Sequence, residues 1–177
     1  GIIFVVLEIK KMKNLFFALL AIITISCNST AQKKETNANA EIASEYKVSK
    51  TDAEWKEILT PAQYNVLRKA GTETPFSSEL NNIKEAGTFV CAACGNELYE
   101  TKHKFDSGTG WPSFDRAIED GVDMGSDSKL GYTRDEIHCA DCGGHLGHLF
   151  NDGPRNTTGE RHCINGDAMK FIPATKS

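Results

Sequence analysis

The pattern of apolar and polar positions separates a leader from the rest of the 177-residue chain. Residues 15–25 form an unbroken apolar run that follows two lysines and precedes a cluster of small residues. A run of about eleven residues is short for a membrane span and fits the hydrophobic region of a secretory signal. We interpret residues 1–11 as an upstream extension, Met12 as the start and residues 12–31 as the leader. The mature domain is then expected in the cell envelope or periplasm.

The leader offers two processing sites. Ser26-Cys27 resembles a lipoprotein signal, in which Cys27 becomes the lipidated N-terminus. Small residues at Ser29 and Ala31 fit ordinary cleavage after Ala31, which would give a soluble secreted form. An uncleaved anchor is the third interpretation. The pattern favours lipidation of Cys27, with membrane contact only through this N-terminal part.

Two helices are predicted where the folded domain begins. Thr51 and Glu54 have the spacing of a capping box, and Thr60 followed by Pro61 opens a second helix that we expect Gly71 to stop. Four apolar positions at helical spacing are predicted to pack on the main domain: Trp55, Ile58, Tyr64 and Leu67.

Beyond these helices the sequence pattern is typical of short strands and glycine-rich turns. Two stretches, Thr88–Val90 and Glu136–His138, each run as a strand into C-x-x-C and then glycine. This is the form of a zinc knuckle, and two knuckles supply the four sulfurs of a closed tetrahedral site. Disulfides or a redox C-x-x-C motif are the alternatives. We predict one structural zinc held by Cys91, Cys94, Cys139 and Cys142.

Composition indicates the class of protein and agrees with the elements predicted above. The chain is 40% hydrophobic and 25% charged, which is typical of a soluble globular protein. The net charge of −4 gives no basic excess, so we expect no nucleic-acid partner. Residues 32–50 are polar and predict a flexible linker, which leaves residues 51–177 as the folded domain.

The sixth cysteine has polar neighbours that suggest chemistry. In a strand, Arg161, Cys163 and Asn165 share one face, because side chains alternate. A guanidinium beside a thiol favours the thiolate, so we expect the pKa of Cys163 to lie below that of a free thiol. A small buried apolar residue is the alternative role for a lone cysteine.

Two more stretches contain candidate site residues. Glycines and a proline surround Trp111 and predict a turn that holds the indole ring at a fixed angle, although a core tryptophan on a loop has the same pattern. His145 and His148 lie three apart and could ligate zinc beside the second knuckle. We prefer them free, as acid–base groups near neutral pH.

Together these stretches resemble the methionine sulfoxide reductase B family. The resemblance covers about residues 53–173 and includes LTPAQYNVLRKAGTETPF, both knuckles, SGTGWPSF, GGHLGHLFNDGP and GERHCIN. It implies a mainly β fold of two antiparallel sheets with short N-terminal helices, stapled by the structural zinc. It also implies roles: Cys163 as nucleophile, Arg161 holding it as a thiolate, Trp111 and Phe150 binding substrate, and His145, His148 and Asn165 arranging the sulfoxide oxygen and its proton.

The resemblance further implies a reaction and partners. The R epimer of methionine sulfoxide, in oxidised proteins, is reduced through a sulfenic acid on Cys163, and a thioredoxin-like or other external thiol restores the enzyme. Many family members carry a second cysteine where this chain has Thr109, so we expect a one-cysteine enzyme, acting as a monomer. Two other classes stay open: a zinc-stapled binding module without activity, and a thiol–disulfide or peroxide enzyme without preference for the R epimer.

Overall fold

The computed structural model describes residues 46–128 and 130–175. The leader, the extension before it and Cys27 lie outside these described residues. Within them, no helix is long and apolar enough to cross a membrane. The described part of the 32–50 segment contacts the domain: the Val48 amide donates to the Asp141 carbonyl at 2.8 Å, and the Val48 side chain packs against the core.

Both predicted helices are present and both begin at capping boxes. Helix α1 is Asp52–Ile58, with Thr51 as its cap, and α2 is Pro61–Lys69, with Thr60 as its cap and Pro61 in its first turn. In each box a hydroxyl accepts from the backbone amide three residues later while that residue's side chain accepts from the cap amide. Two otherwise unpaired amides per helix are satisfied in this way.

The end of α2 differs from the prediction. Ala70, not Gly71, adopts the left-handed conformation, with φ of 49°. Gly71 fits here for another reason: a Cβ there would lie 3.0 Å from the Asn65 backbone carbonyl, which accepts from the Gly71 amide at 2.9 Å, and would also displace the exposed Asn65 side chain. The stop signal in the sequence is therefore real, but the glycine serves a close backbone approach.

The packing of the helices is largely as predicted. Trp55 and Leu67 are buried in the core and Tyr64 packs against it. Ile58 is the exception: it is 53% exposed, and the prediction that it packs on the domain is wrong. Leu59, at the C-terminal cap where the chain turns extended, is buried in its place, because leaving the helix changes which side chain faces inward.

The strands of the described residues form two antiparallel sheets, which confirms the predicted fold class. The smaller sheet has the order β2-β1-β9 and the larger has the order β3-β4-β8-β7-β6-β5. The bounds are β1 Gly87–Cys91, β2 Glu97–Glu100, β3 Lys104–Phe105, β4 Ser113–Phe114, β5 Val122–Asp127, β6 Arg134–Cys139, β7 His145–Phe150, β8 Arg161–Ile164 and β9 Met169–Pro173. A 3₁₀ turn at Glu79–Asn82 precedes β1, and two more connect strands, at Thr101–His103 and Gly166–Ala168.

The core lies between the sheets and is built on aromatic contacts. Phe114 of the large sheet stacks on Tyr99 of the small sheet, with ring centroids 4.3 Å apart, and meets Phe89 edge to face at 5.0 Å. All three rings are fully buried. Each such pair adds about 0.5–1.5 kcal/mol beyond burial. This packing fixes the inner face of β4 and β8, so their outer-face residues are held in place.

Candidate active site

The four knuckle cysteines converge on one point, as predicted. Their sulfurs all lie within 4.8 Å of one another. The Cys91–Cys142 separation is 3.8 Å and the Cys94–Cys139 separation is 3.5 Å. Tetrahedral zinc with bonds of about 2.3 Å spaces its sulfurs by about 3.8 Å, whereas a disulfide needs about 2.05 Å. The geometry therefore fits zinc and does not fit a sulfur–sulfur bond.

The cysteine cluster draws its residues from both sheets. One knuckle follows β1 of the small sheet and the other follows β6 of the large sheet. The turns are closed by Gly95 and Gly143, at φ of 81° and 64°, a backbone region that favours glycine. Zinc bound here would join the two sheets at one end, and with four thiolate ligands it would have no open position for catalysis.

Cys163 lies near the middle of the large sheet, on a polar face. It pairs across the ladder with Ser113 of β4 on one side and His148 of β7 on the other, and His148 in turn pairs with Glu136 of β6. Residues paired directly across strands point to the same face, with Cβ atoms about 4.5–5.5 Å apart. The register therefore places a thiol, an imidazole and a carboxylate in one row.

A bulge in β7 brings the second histidine to this face. The pairing of β6 with β7 shifts between Ile137 and His138, so that His138 lies opposite His145 and Leu146 is left out of the register. One extra residue reverses the alternation of a strand. His145 and His148, an odd number of residues apart, therefore share a face, and their ring centroids are 5.3 Å apart.

Each histidine is held by a carboxylate that was missed in the sequence. Nδ1 of His145 lies 2.5 Å from Oε1 of Glu136, and Nε2 of His148 lies 3.1 Å from Oδ2 of Asp127. Asp127 also forms an ion pair with Arg134. A carboxylate offers only acceptors, so each contacting ring nitrogen carries the hydrogen and the other nitrogen of the neutral ring is free to accept a proton.

The protein environment keeps both histidines neutral near pH 7. Burial lowers the pKa of His145 to about 4, against the opposing effect of Glu136. Burial also lowers the pKa of His148, although Asp127 opposes it. A charged imidazole loses its hydration when buried, which is the cause in both cases. Both rings are therefore unprotonated at rest, and each has a nitrogen that can accept a proton.

The expectation for the Cys163 pKa is wrong in sign. Burial raises the pKa of the Cys163 thiol above its ordinary value. The Arg161 guanidinium and the Thr109 hydroxyl both lower it through charge and hydrogen bonding, but they do not outweigh burial. Cys163 is half-buried, and the sequence pattern could not show how much water the fold removes. Cys163 at rest is therefore a thiol, and it needs a base to become a thiolate.

Arg161 is committed to several partners besides Cys163. Its Nε and one terminal nitrogen donate to the two oxygens of Asp152, at 2.8 and 3.0 Å, and its guanidinium lies 4.3 Å from the centroid of the Phe150 ring. This two-point contact fixes the plane of the guanidinium. The structure thus brings Arg161, Phe150 and Cys163 together, and it adds Asp152 as the residue that orients the arginine.

Asn165 and Trp111 are joined through the backbone of Glu73. The Glu73 amide donates to Oδ1 of Asn165 at 3.0 Å, and the Glu73 carbonyl accepts from Nε1 of Trp111 at 3.3 Å. Nδ2 of Asn165 donates one hydrogen to the Leu146 carbonyl at 2.9 Å. An amide nitrogen carries two hydrogens, so one is left to donate. The loop before β1 therefore holds two predicted site residues in fixed positions.

Thr109 belongs to a chain of hydroxyl groups beside the thiol. Hydrogen bonding from its hydroxyl lowers the pKa of the Cys163 thiol. The Thr109 hydroxyl lies 2.8 Å from the Ser107 hydroxyl, which lies 2.8 Å from the Ser113 hydroxyl. Ser113 is fully buried and donates to the Trp111 carbonyl at 3.0 Å. Thr109 therefore influences the Cys163 thiol.

The site is that of a thiol oxidoreductase: a half-buried cysteine, two neutral histidines with carboxylate partners, and an oriented arginine. The SelR domain family model matches residues 59–173. A peptide methionine sulfoxide reductase MsrB of Leifsonia xyli subsp. xyli is 51% identical over 130 residues, covering 73% of this chain and 94% of the relative. One of Leptospira interrogans serovar Lai is 53% identical over 127 residues, covering 71% and 96%. The chain therefore belongs to the SelR domain family, that of methionine sulfoxide reductase B.

A likeness to a solved structure adds nothing to this assignment. The Mis18 "Yippee-like" domain is similar to 52% of this chain and to all of its own chain, with a TM-score of 0.42 and 14% sequence identity. Values this low carry no argument about function.

Proposed function

We propose that this protein reduces the R epimer of methionine sulfoxide to methionine, with Cys163 as the nucleophile. The observation that carries the proposal is the cross-strand pair of Cys163 and His148, which sets a thiol beside a neutral base in the row that Glu136 ends. The curated relatives named for this reaction support the substrate.

The first step needs a base because burial raises the pKa of the thiol. His148, the direct neighbour of Cys163, accepts the thiol proton on its free nitrogen, and Asp127 stabilises the imidazolium that forms. The thiolate then has a guanidinium and a hydroxyl as partners, from Arg161 and Thr109. These two groups lower the free energy of the thiolate that burial would otherwise disfavour.

The thiolate then attacks the sulfoxide, and the charges balance through the histidines. The sulfur–oxygen bond breaks as the oxygen passes to Cys163, the oxygen receives the proton held by the imidazolium, and methionine leaves. Cys163 is oxidised by two electrons to the sulfenic acid, a reversible state, and the sulfoxide is reduced by two electrons. The remaining hydrogen of Asn165 Nδ2 is available to donate to the sulfoxide oxygen. His145 can donate to that oxygen only after its free nitrogen has gained a proton, with Glu136 as the partner of the other nitrogen.

We infer that substrate selection rests on two aromatic groups, Trp111 and Phe150. The indole ring of Trp111 is fixed by its hydrogen bond to the Glu73 carbonyl, and Phe150 is fixed under the Arg161 guanidinium. Two rigid apolar surfaces suit a methyl–thioether end more than a charged one. We infer that they hold the substrate methyl group, and that a sulfoxide of the opposite hand would turn its oxygen away from the histidines.

Regeneration follows from the absence of a partner thiol in the described site. Among residues 46–128 and 130–175, the cysteines other than Cys163 are those of the zinc cluster. The sulfenic acid is therefore attacked by an external thiol, which forms a mixed disulfide and releases water, and a second thiol then restores Cys163. A thioredoxin-like dithiol supplies both equivalents. We propose a monomer that acts on oxidised proteins in the cell envelope, anchored through lipid on Cys27.

The experiment is turnover of a dabsylated methionine R-sulfoxide in the presence of a dithiol. The wild type should release the dabsylated methionine, the S epimer should not react, and Cys163→Ser should be inactive. Turnover by Cys163→Ser, or none by the wild type, would refute the enzyme. Equal turnover of both epimers, or a faster reaction with a disulfide or peroxide, would favour another thiol chemistry.

A further inference from the structure

A second cluster of metal-binding side chains lies on the polar face of the large sheet. Glu136 Oε1 is 2.5 Å from Nδ1 of His145 and 3.3 Å from Nε2 of His138. The three ligand atoms all lie within 4.8 Å of one another. Of these three residues His145 is buried, and the other two are half-buried. Two imidazole nitrogens and a carboxylate oxygen thus point at a common space.

This cluster is separate from the four cysteines. His138 and Glu136 alternate along β6 with Ile137 and Cys139, so their side chains leave the sheet on the face opposite the Cys139 sulfur. The β7 bulge then sets His145 directly across from His138. Gly125 of β5 leaves room for the His138 ring, because a Cβ there would touch its Cε1 and Nδ1. The backbone therefore positions all three side chains independently of the knuckles.

The donor set selects the class of metal. Two histidines and one carboxylate, with a fourth position open to water, are ligands of zinc and of the other first-row divalent ions. Bonds of about 2.0–2.2 Å place the ligand atoms about 3.3 Å apart. The Glu136–His138 separation of 3.3 Å already matches this spacing, whereas the Glu136 carboxylate must draw back from His145, which a half-buried glutamate can do by rotating its own side chain.

Solvent reaches the cluster by a defined route. An open depression of about 410 Å³ between the last turn of α2 and Gly143 is lined by both His138 and His145. Arg68 and Lys69 also line it, but each cation is already engaged. Arg68 donates to the Cys142 carbonyl at 3.0 Å and lies over the Trp55 ring, and Lys69 pairs with Asp52 at 3.4 Å. A metal ion can therefore enter from outside the substrate surface formed by Trp111 and Phe150.

We propose that Glu136, His138 and His145 bind a divalent transition metal ion, with zinc as the reference ion, and that this binding inhibits the enzyme. Binding replaces the hydrogen on Nδ1 of His145 and takes the carboxylate that holds the ring. His145 then keeps a fixed orientation set by the metal and can no longer gain and lose a proton with Glu136 as partner. The inhibition rests on the proposed function, whereas the binding does not.

The binding test uses the full-length Cys163→Ser variant, because a free catalytic thiolate would itself bind zinc. Protein already holding one zinc in the four cysteines is titrated with Zn²⁺ against a chromophoric chelator, without thiols. A second equivalent should bind, and it should be lost in Cys163→Ser/His138→Ala and in Cys163→Ser/His138→Gln. The control is Cys163→Ser/His103→Ala, since His103 also faces carboxylates, Asp115 at 3.2 Å and Glu100 at 4.0 Å, and should keep the second equivalent.

The inhibition test is a single turnover of pre-reduced enzyme carrying the native Cys163, again without thiols. Zn²⁺ at the concentration that just fills the second site of Cys163→Ser should slow methionine formation at least about tenfold in the wild type and less than about twofold in His138→Ala, the scale expected when a group that supports metal binding is removed. The ratio is taken within each protein, so a change in basal rate cancels.

The outcomes separate the two claims. One zinc per chain in Cys163→Ser, or a second equivalent that survives both His138 substitutions, overturns the metal site. Equal slowing of wild type and His138→Ala overturns the inhibition. A protein that binds two zinc ions but makes no methionine even without added zinc contradicts the proposed function and leaves the metal site standing.

Discussion

The amide of Glu73 donates a hydrogen bond of 3.0 Å to the side-chain oxygen of Asn165, 92 positions further along the chain. Asn165 is 3% exposed, so water does not compete for this contact. The bond ties the loop after α2 to the residue that follows β8. Since the Glu73 carbonyl holds Trp111, the indole ring and the end of the Cys163 strand are positioned by the backbone of one residue.

Asn165→Ala is expected to destabilise the fold as well as the site. It leaves the Glu73 amide without its partner and takes a donor from the Leu146 carbonyl, at a cost of roughly 1–3 kcal/mol in the free energy of unfolding. Urea unfolding measures it. The control is Asn151→Ala, an exposed asparagine just past β7 that should change stability by less than about 0.5 kcal/mol. Equal stability of the two variants would contradict the role of Asn165.

Thr109 is expected to tune the reactivity of Cys163. Its hydroxyl lowers the pKa of the thiol, so Thr109→Val should raise that pKa further and Thr109→Ser should keep the wild-type value. The rate of Cys163 alkylation by iodoacetamide, followed by mass spectrometry across pH, reports the thiolate fraction. The wild-type rate should still be rising above the pKa of an ordinary thiol, about 8.5. A wild-type midpoint below that value, or no shift in Thr109→Val, would contradict this account.

Thr109→Cys should convert the protein into a two-cysteine enzyme. Because the Thr109 side chain is within hydrogen-bonding reach of Cys163, a sulfur in its place can attack the sulfenic acid. Mass spectrometry after one turnover without added thiol should show an internal disulfide. The matched variant Thr109→Ser should show only sulfenic acid or external adducts. Finding the same products in both would refute the proximity.

Removal of zinc should cost stability before it costs chemistry. The cysteine cluster joins β1 of one sheet to β6 of the other, and structural zinc sites contribute on the order of 10 kcal/mol of apparent binding free energy. Cys91→Ser or a strong chelator should therefore lower the melting temperature sharply, while Cys163→Ser should leave it nearly unchanged. An apo protein that melts with the holoprotein would show that the cluster holds no structural metal.

Patterns among residues close in sequence predicted the helices, the cysteine cluster and the fold class. The capping boxes at Thr51 and Thr60 and the two knuckles each depend on residues three positions apart. Such short spacings can be recognised in the sequence without knowledge of the fold. The prediction that Ile58 is buried was wrong because the helix ends at this residue and Leu59 turns inward in its place. The helical spacing of apolar residues does not show at which residue the helix ends.

The site was less predictable because its support comes from distant strands. Glu136 and Asp127 reach the two histidines only because β5, β6 and β7 pair side by side. The bulge in β7 follows from this pairing and is not visible in the pattern of apolar and polar residues. The one signal that could have indicated Glu136 is its place three positions before Cys139 of the second knuckle, on the same strand face as His138. The raised pKa of Cys163 reflects burial by the whole domain, which its neighbours in sequence do not report.

The most direct test of the central claim is a single turnover without any external reductant. Fully reduced protein is mixed with excess methionine R-sulfoxide, and both the methionine formed and the oxidation state of Cys163 are measured. The account predicts one methionine per protein and one added oxygen on Cys163, with neither product in Cys163→Ser or with the S epimer. Methionine formed without oxidation of Cys163, or no methionine at all, would contradict it.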